Sequence, residues 1–311
     1  MAVRTFAAID VGSFELSMKI FEVSRRGMKE IDHIRREINM GTESYTTGKL
    51  SYERVEELCE ALLAFSDIMK TYRVSDYAAY GTSAIRETEN TIILLNQIEV
   101  RTGIHIQVLS NSEQRFLDYK SIAFQGEGFL KIIENPTAIV DIGSIQISLF
   151  DKDKLVSTQN MKLGVLRLQE RLRHMNAGAK QSDDLITELV DSQMLTYKKL
   201  YLKDREIRNI IIVDDYVSML LRKKSLEHEM TGYAGRELFE KFEKAYHSQR
   251  TGELAKKWDV PEENMPMLHI SLMLLKRIME IMGAELIWAP GVTLCDGIAY
   301  EYAEKNKIVA A

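Results

Sequence analysis

Two aspartates with small-residue turns beside them are the first candidates for chemistry in this sequence. Asp10 and Asp141 each end an apolar run, in TFAAIDVGS and TAIVDIGS, and a constant spacing of 131 residues relates the two copies. The copies share the same turn, whose members are Gly12, Ser13, Gly143 and Ser144. Backbone N–H groups of such turns can approach a phosphate closely. One copy would be an ordinary strand and turn, but two copies indicate the halves of a phosphate clamp.

The residues around Asp10 predict the element that positions it. After the turn, Leu16, Met18 and Ile20 alternate with polar residues, which is the period of a half-buried strand. The stretch Thr5 to Ser24 therefore predicts a hairpin with a carboxylate at its bend. Because the copies are far apart in sequence, we expect two similar halves on either side of a cleft.

Length and composition indicate a two-domain globular protein. With 311 residues, 45% hydrophobic and 28% charged, we expect domains at 1–135 and 136–311. The net charge of −5 argues against nucleic-acid and anionic-membrane partners. No signal-peptide segment and no apolar run of about 18 residues is evident, so we expect a soluble, cytoplasmic protein.

Cysteine and histidine spacing gives no sign of a metal centre. Cys59 and Cys295 are far apart, which indicates neither a disulfide framework nor a structural zinc site. The six histidines show no ligand spacing; they are His33, His105, His174, His228, His247 and His269.

The order of predicted elements indicates an α/β protein. Three strands at the start precede a helix that Ser51 caps, and strands and helices then alternate up to about residue 135. A second hairpin, a third strand and mostly helical sequence follow. The second half therefore repeats the first with a helical insertion.

Seven segments, in this order, resemble the exopolyphosphatase/guanosine pentaphosphate phosphohydrolase (Ppx/GppA) family. They are AAIDVGSFELSMKIFEV, TTGKLSYERVEEL, GTSAIRETEN, VLSNSEQRFLDYKSI, AIVDIGS, KLGVLRL and GVTLCDGIAY. The resemblance implies the actin-like ATPase fold, with two ribonuclease H-like α/β domains flanking a cleft. It also implies the short form of the family, without the C-terminal HD-type helical domain.

The resemblance also implies a function, which is release of the terminal phosphate from polyphosphate or guanosine pentaphosphate with Mg²⁺. Asp10 and Asp141 match the metal-holding aspartates, and Asp141 also counts among the catalytic positions. The phosphate-binding positions are Gly12, Ser13, Thr82, Ser83, Arg86, Gly143 and Ser144. Arg is suited to a bidentate contact with phosphate. A homodimer is the oligomeric state that the relatives imply.

Four departures from the family pattern fall in these loops. The family reads D-x-G-S-N-S where this chain has Phe14-Glu15, and S-G-x-E-E-A-R where Glu113-Gln114 puts Gln114 at the position of the general base. In D-I-G-G-G-S-T-E, a deletion of two glycines puts Gln146 at the Glu position, whereas an ungapped alignment puts Ser148 there. The family's G-G-T turn is replaced by Val213-Asp214-Asp215-Tyr216.

These departures leave two main functions open. The first is a phosphoanhydride hydrolase whose activity is weak, since a Gln can hold a water but cannot take its proton. Glu15 or Glu113 is the alternative base in that case. The second is a catalytically silent homologue that binds a nucleotide, an alarmone, polyphosphate or a protein partner as a regulator. A kinase or chaperone-type ATPase is disfavoured because no adenosine-side Gly-rich turn is evident.

Overall fold

The chain folds into two compact α/β units in this computed structural model. The structure describes residues 3–123, 127–152, 154–175, 179–213, 217–218, 220–221 and 232–308. The first unit is Met1–Phe124 together with Thr293–Ala311, and the second is Gln125–Val292. This division begins the second unit at Gln125 and places Thr293–Ala311 with the first unit, whereas the sequence predicted domains at 1–135 and 136–311.

The first unit is a five-stranded mixed sheet with helical cover. Its strands are β1 Arg4–Val11, β2 Glu15–Ser24, β3 Gly27–Glu37, β4 Asp76–Gly81 and β5 Ile106–Val108. Its helices are α1 Met40–Thr47, α2 Tyr52–Thr71, α3 Ser83–Arg86, α4 Thr91–Thr102 and α5 Asn111–Ala123, with α12 Leu294–Lys305 from the C-terminal segment. The sheet order is β3-β2-β1-β4-β5.

The second unit holds a six-stranded sheet and most of the helical sequence. Its strands are β6 Thr137–Asp141, β7 Gln146–Asp151, β8 Lys154–Asn160, β9 Asn209–Ile212, β10 Tyr233–Gly235 and β11 Leu286–Trp288. Its helices are α6 Glu127–Ile133, α7 Val165–His174, α8 Ala179–Tyr197, α9 Arg236–Ser248, α10 Thr251–Trp258 and α11 Met265–Met282. The sheet order is β10-β11-β9-β6-β7-β8.

Five strands of each sheet share one topology, to which the second sheet adds the antiparallel β10, and this confirms the α/β class and the internal repeat. In each, an antiparallel three-stranded meander is followed by parallel strands: β1 pairs with β4, as β6 pairs with β9. The hairpin predicted at Thr5 to Ser24 is β1-β2, in which Asp10 stands opposite Ser17. The apolar side chains of β2 that alternate in sequence, Leu16, Met18 and Ile20, lie in the core.

Local signals account for several helix boundaries. The Ser51 side chain accepts the backbone N–H of Arg54 at 3.2 Å and so caps α2, as the sequence predicts. The sequence did not predict α1, which occupies Met40–Thr47. Asn39 begins it in a left-handed conformation (φ 54°), a local geometry that periodicity does not reveal. Within the described ranges, no helix has both the length and the apolarity needed to cross a bilayer.

Candidate active site

In the first unit, the carboxyl ends of β1, β4 and β5 lie at one edge of the sheet, because the three strands are parallel. The segments that leave this edge carry most of the predicted site residues. We call this region the first-sheet edge; its members are Asp10, Gly12, Ser13, Thr82, Ser83, Arg86, Glu113 and Gln114. Backbone bonds tie the segments together, since Thr82 N–H donates to Val11 O (3.2 Å) and Leu109 N–H donates to Gly81 O (3.0 Å).

A short backbone bond closes the turn after Asp10. Gly12 N–H donates to Glu15 O at 3.1 Å, and a Cβ on Gly12 would lie 2.7 Å from the same oxygen. Only glycine therefore fits at this position. The carbonyl oxygens of Ser13 and Phe14 accept backbone N–H groups at the start of α1, so the turn is fixed in place.

Thr82 and Ser83 are buried at the start of α3. The Ser83 hydroxyl is hydrogen-bonded to the hydroxyl of Tyr45 on α1 at 2.6 Å. Tyr45 is a residue that sequence reasoning missed, because α1 itself was not predicted. It fixes the orientation of Ser83 at the first-sheet edge.

Arg86 contacts Gln114, the residue that the family resemblance aligns with a general base. Its guanidinium donates to the carbonyl oxygen of Leu109 at 2.6 Å and lies 3.4 and 3.5 Å from Oε1 of Gln114. Gln114 is only 6% exposed. The tertiary fold therefore brings together a cation and an amide that are 28 residues apart in sequence.

Glu113 has a structural task at the start of α5. Its carboxylate accepts Ser110 N–H at 2.8 Å, and Ser110 Oγ accepts Glu113 N–H at 3.2 Å, which is a reciprocal capping box. The backbone hydrogen bond from Ser110 lowers the pKa of Glu113 below its usual value. An exposed, ionised carboxylate that holds a helix start is poorly placed to be a general base.

Glu15 faces a cation of its own sheet. Its carboxylate lies 3.9 Å from the guanidinium nitrogen Nε of Arg35 on the adjacent strand β3. Like Glu113, it has a local electrostatic partner. The described contacts favour neither residue as a substitute base, and that role stays an untested prediction for both.

In the second unit, Asp141 ends β6 and orients its own turn. Its Oδ1 accepts Gly143 N–H at 2.9 Å. The Gly164 turn before α7 packs against this loop, since a Cβ on Gly164 would lie 2.3 Å from Gly143 O. Val165 N–H donates to Ile142 O at 3.2 Å and strengthens the contact. The KLG segment therefore supports the loop that carries Asp141, Gly143 and Ser144.

The second hairpin is two residues shorter than the first. Asp10 pairs with Ser17, seven residues on, whereas Asp141 pairs with Gln146, five residues on. Gln146 therefore stands directly opposite Asp141 at the bend, and Ser148 stands opposite Ile139, further along the strands. Both side chains are buried. The gapped alignment puts Gln146 at the family's Glu position and the ungapped one puts Ser148 there. In this register Gln146 is the nearer of the two to the loop that follows Asp141.

The fourth departure from the family pattern lies mostly outside the described residues, because these do not include Asp214, Asp215 and Tyr216. Val213, which precedes them, donates its N–H to Val140 O at 3.1 Å and extends the β6-β9 pairing. The end of β9 therefore lies beside the end of β6, the strand that carries Asp141.

The sequence analysis did not identify a further group of side chains, which lies in the second unit. Asp183, His247 and His269 offer ligand atoms that all lie within 4.8 Å of one another, although no spacing signals them. They lie on α8, α9 and α11 of the second unit, and none of them is among the residues predicted for catalysis.

Comparisons with known proteins agree with the motifs. The sequence profile of the Ppx/GppA phosphatase family matches residues 19–306. A guanosine-5'-triphosphate,3'-diphosphate pyrophosphatase of Photobacterium profundum is 24% identical over 171 residues, which are 53% of this chain and 33% of that protein. Exopolyphosphatase 1 of Mycobacterium tuberculosis is 21% identical over 115 residues, 37% of this chain and 33% of that protein. These matches span about a third of the length of the curated relatives.

Solved structures show the same fold over nearly the whole chain. An exopolyphosphatase from Cytophaga hutchinsonii has a TM-score of 0.83 and 16% identity, and the match covers 99% of this chain and 100% of that one. The Aquifex aeolicus member of the Ppx/GppA family has a TM-score of 0.76 and 16% identity, with 98% and 99% covered. These neighbours have the actin-like ATPase fold. The chain therefore has that fold and belongs to the Ppx/GppA phosphatase family.

Proposed function

We propose that this protein releases terminal phosphate from inorganic polyphosphate or guanosine pentaphosphate, and does so slowly. Family membership and the names of the curated relatives support the substrate class. The first-sheet edge supports it chemically, since a glycine turn, two hydroxyls and a guanidinium are groups that bind phosphate oxygens. A cytoplasmic location and a homodimer belong to the same proposal.

The contact between Arg86 and Gln114 carries the proposal of slow turnover. An amide at this position can hydrogen-bond an attacking water but cannot accept its proton, and loss of a general base typically costs about 10² to 10⁴ in rate. The two other acidic candidates have local partners, Ser110 for Glu113 and Arg35 for Glu15. Phosphate binding and water orientation therefore remain, while proton transfer is impaired.

Mg²⁺ is the cation that the family implies, and the residues present fit it. Asp10 and Asp141, each taken by itself, are carboxylates beside a small-residue turn. Mg²⁺ takes few carboxylates and keeps several waters, so either carboxylate alone is a chemically suitable ligand. Bound there, the ion would supply neutralisation of charge on the phosphate oxygens. Gly143 N–H already orients the Asp141 carboxylate, at 2.9 Å.

A binding role without turnover is the second candidate. The observation that favours it is the pairing of Arg86 with a neutral amide, which preserves a cationic phosphate contact but supplies no base. A regulator of this kind would bind a nucleotide, an alarmone, polyphosphate or a protein partner. It predicts that ligand raises the melting temperature while no phosphate is released.

Phosphate release from long-chain polyphosphate and from guanosine pentaphosphate, with Mg²⁺, tests the proposal. The wild type is compared with Gln114→Glu/Gln146→Glu, and we expect the double variant to be faster by about 10-fold to 10³-fold. Gln97→Glu/Gln249→Glu is the matched control, because both glutamines are exposed and the pair adds the same two charges elsewhere.

The outcomes separate the two candidates. Slow release by the wild type that Asp141→Ala abolishes supports the hydrolase. Release only by the double variant, with ligand-dependent stabilisation of the wild type, supports the binding protein. No release by either protein and no stabilisation by either ligand would contradict both.

A further inference from the structure

Three side chains with metal-binding chemistry converge in the second unit from three helices. Asp183 lies on α8, His247 on α9 and His269 on α11. The Nε2 atom of His247 is 2.6 Å from Asp183 Oδ2, and that of His269 is 2.7 Å from Asp183 Oδ1. In the part of the chain that the structure describes, no other three histidines, cysteines or acidic residues group in this way.

We propose that Asp183, His247 and His269 form a binding site for one divalent transition-metal ion, with zinc as the best match. Two imidazole nitrogens and one carboxylate oxygen are ligands of zinc sites, whereas Mg²⁺ and Ca²⁺ prefer oxygen ligands alone. The site is independent of the residues proposed for phosphate release. It assigns a role to two histidines whose spacing in the sequence carries no signal.

The distances are compatible with a small rearrangement. Zinc lies about 2.0 to 2.2 Å from nitrogen and oxygen ligands, so tetrahedral ligand atoms are roughly 3.3 Å apart. The two N···O separations of 2.6 and 2.7 Å therefore have to lengthen by roughly 0.6 Å when an ion enters. Rotation of the partly exposed His247 about its side-chain bonds can supply much of this change.

The burial of His269 is the second observation that points to a ligand. This residue is only 4% exposed, and its Nδ1 atom has no hydrogen-bond partner among the described residues. Coordination through Nε2 would leave Nδ1 unchanged, so it is the burial of the polar imidazole as a whole that points to a role. Burying it costs free energy, and an apolar side chain would pack between these helices without that cost. Metal coordination through Nε2 gives a reason for an imidazole here.

Aromatic packing holds His269 in one orientation. Its ring stacks on that of Tyr246 with centroids 3.8 Å apart and planes within 3°. Phe242 lies on the same helix as Tyr246, and its centroid is 6.3 Å from that of His269. One ligand is thus rigid and buried, whereas His247 is 35% exposed and leaves a route from solvent to the site.

A cavity lies beside His269, one of the three proposed ligands, and its lining does not include Asp183 or His247. Its volume is about 430 Å³, and its lining includes Tyr246, Ser182 and Glu263. Three protein ligands with open positions are typical of zinc sites that keep a water or accept a small ligand. Water that reaches the site past the partly exposed His247 can complete the coordination shell.

Metal titration of the tag-free, metal-stripped full chain tests the proposal. Calorimetry with Zn²⁺ is expected to give one ion per chain, and Co²⁺ is expected to give the visible absorption bands of a tetrahedral complex. Asp183→Asn and His247→Ala are each expected to weaken Zn²⁺ binding at least 100-fold. His174→Ala is the matched control, because His174 is an exposed histidine of the same unit, at the end of α7.

The metal titration has two possible results, one for and one against the proposed site. Loss of the Zn²⁺ stoichiometry and of the Co²⁺ bands in both site variants, with both retained in the control, supports the site. Absence of binding in the wild type, or equal binding in wild type and site variants, overturns it and leaves the three residues as a hydrogen-bonded link between helices. Circular dichroism of each variant verifies folding, and His247 is the informative position because it lies at the surface.

Discussion

Neighbouring residues on α5 have different tasks, although the family pattern makes both acidic. Gln114 is buried against Arg86, whereas Glu113 is exposed and closes the capping box with Ser110. At the scale of single residues, therefore, Gln114 contacts a guanidinium, whereas Glu113 stabilises the start of the helix. Substitutions at the two positions should separate these effects.

We expect Glu113→Ala to lower stability and leave phosphate release unchanged. Loss of a capping interaction costs about 1 kcal/mol, with a corresponding fall in melting temperature. Thermal denaturation measures the first effect, and phosphate release in the Gln114→Glu/Gln146→Glu background measures the second. Glu60→Ala, an exposed position within α2, is the control and should change neither. If Glu113→Ala abolished release at unchanged stability, Glu113 would be the base.

His33 on β3 makes stability depend on acid pH. Its Nε2 atom is 2.8 Å from Ser17 Oγ and accepts Arg35 Nε–H at 3.3 Å, so this nitrogen carries no proton. Burial, and then the charges of Arg35 and Lys19, lower the pKa of His33 to about 3. The folded chain thus binds no proton here between about pH 6.5 and pH 3, whereas the unfolded chain does.

This difference predicts a loss of stability as the pH falls from 6.5. After allowance for solvent screening, the expected loss is about 2 kcal/mol by pH 4.5 in the wild type. Urea denaturation at several pH values, compared with His33→Gln, measures it, because the variant lacks the titrating ring and should show a flatter profile. Parallel profiles for the two proteins would contradict the assignment. His105→Gln, at an exposed histidine, should follow the wild type.

At the scale of elements, the contact between α5 and α12 needs close backbone approach. A Cβ on Gly297 of α12 would lie 2.0 Å from the carbonyl oxygen of Leu117 on α5. Around this point Lys120 forms ion pairs with Glu301 and Glu304. The glycine sets the distance between the helices, and the ion pairs add specificity at its margin.

Gly297→Ala is therefore expected to destabilise the protein by about 1 to 3 kcal/mol or more, because the helices must move apart. Gly252→Ala in α10 is the matched control. A Cβ there meets only the flexible carboxylate of Glu262, at 3.1 Å, and alanine favours the helix. Chemical denaturation measures the free energy of unfolding of both variants. Equal stability of the two variants would show that the α5–α12 contact tolerates a side chain.

At the scale of the whole molecule, the first unit depends on both ends of the chain. The apolar side of α12 packs with side chains of β1 and β2 in one cluster, whose members include Phe6, Phe21, Leu294, Ile298 and Ala299. Phe6 also stacks on Tyr302, with centroids 3.9 Å apart. Lys19 on β2 is buried and donates to Asp296 at 2.8 Å, which adds an ionic link to the apolar one.

Ending the chain at Val292 should therefore unfold the first unit. The truncation removes about half of an apolar cluster together with Asp296, which leaves Glu30 as the remaining ionic partner of Lys19. For the chain that ends at Val292, we expect circular dichroism to show reduced ellipticity and limited proteolysis to cleave rapidly within residues 3–123. A chain that ends at Ile308 is the control. Wild-type ellipticity and protease resistance in the chain that ends at Val292 would contradict this dependence.

The sequence was most informative where a signal is local. Alternation predicted the β1-β2 hairpin, Ser51 predicted the start of α2, and the repeated Asp-x-Gly-Ser motif predicted two related halves. These signals depend on near neighbours along the chain, so no tertiary information is needed. The start of α1 escaped detection because a left-handed Asn39, rather than a periodic pattern, begins it.

The sequence by itself determined the α/β class, the family and the residue types of the candidate site, since motif order and residue identity are properties of the chain. Only the tertiary structure decided which side chains meet: Arg86 with Gln114, Glu113 with Ser110, and Asp183 with His247 and His269. These contacts depend on how strands pair and helices pack, across separations that reach 86 residues. No local period in the sequence predicts such long-range contacts, because core packing and backbone hydrogen bonding act together to bring these residues into contact.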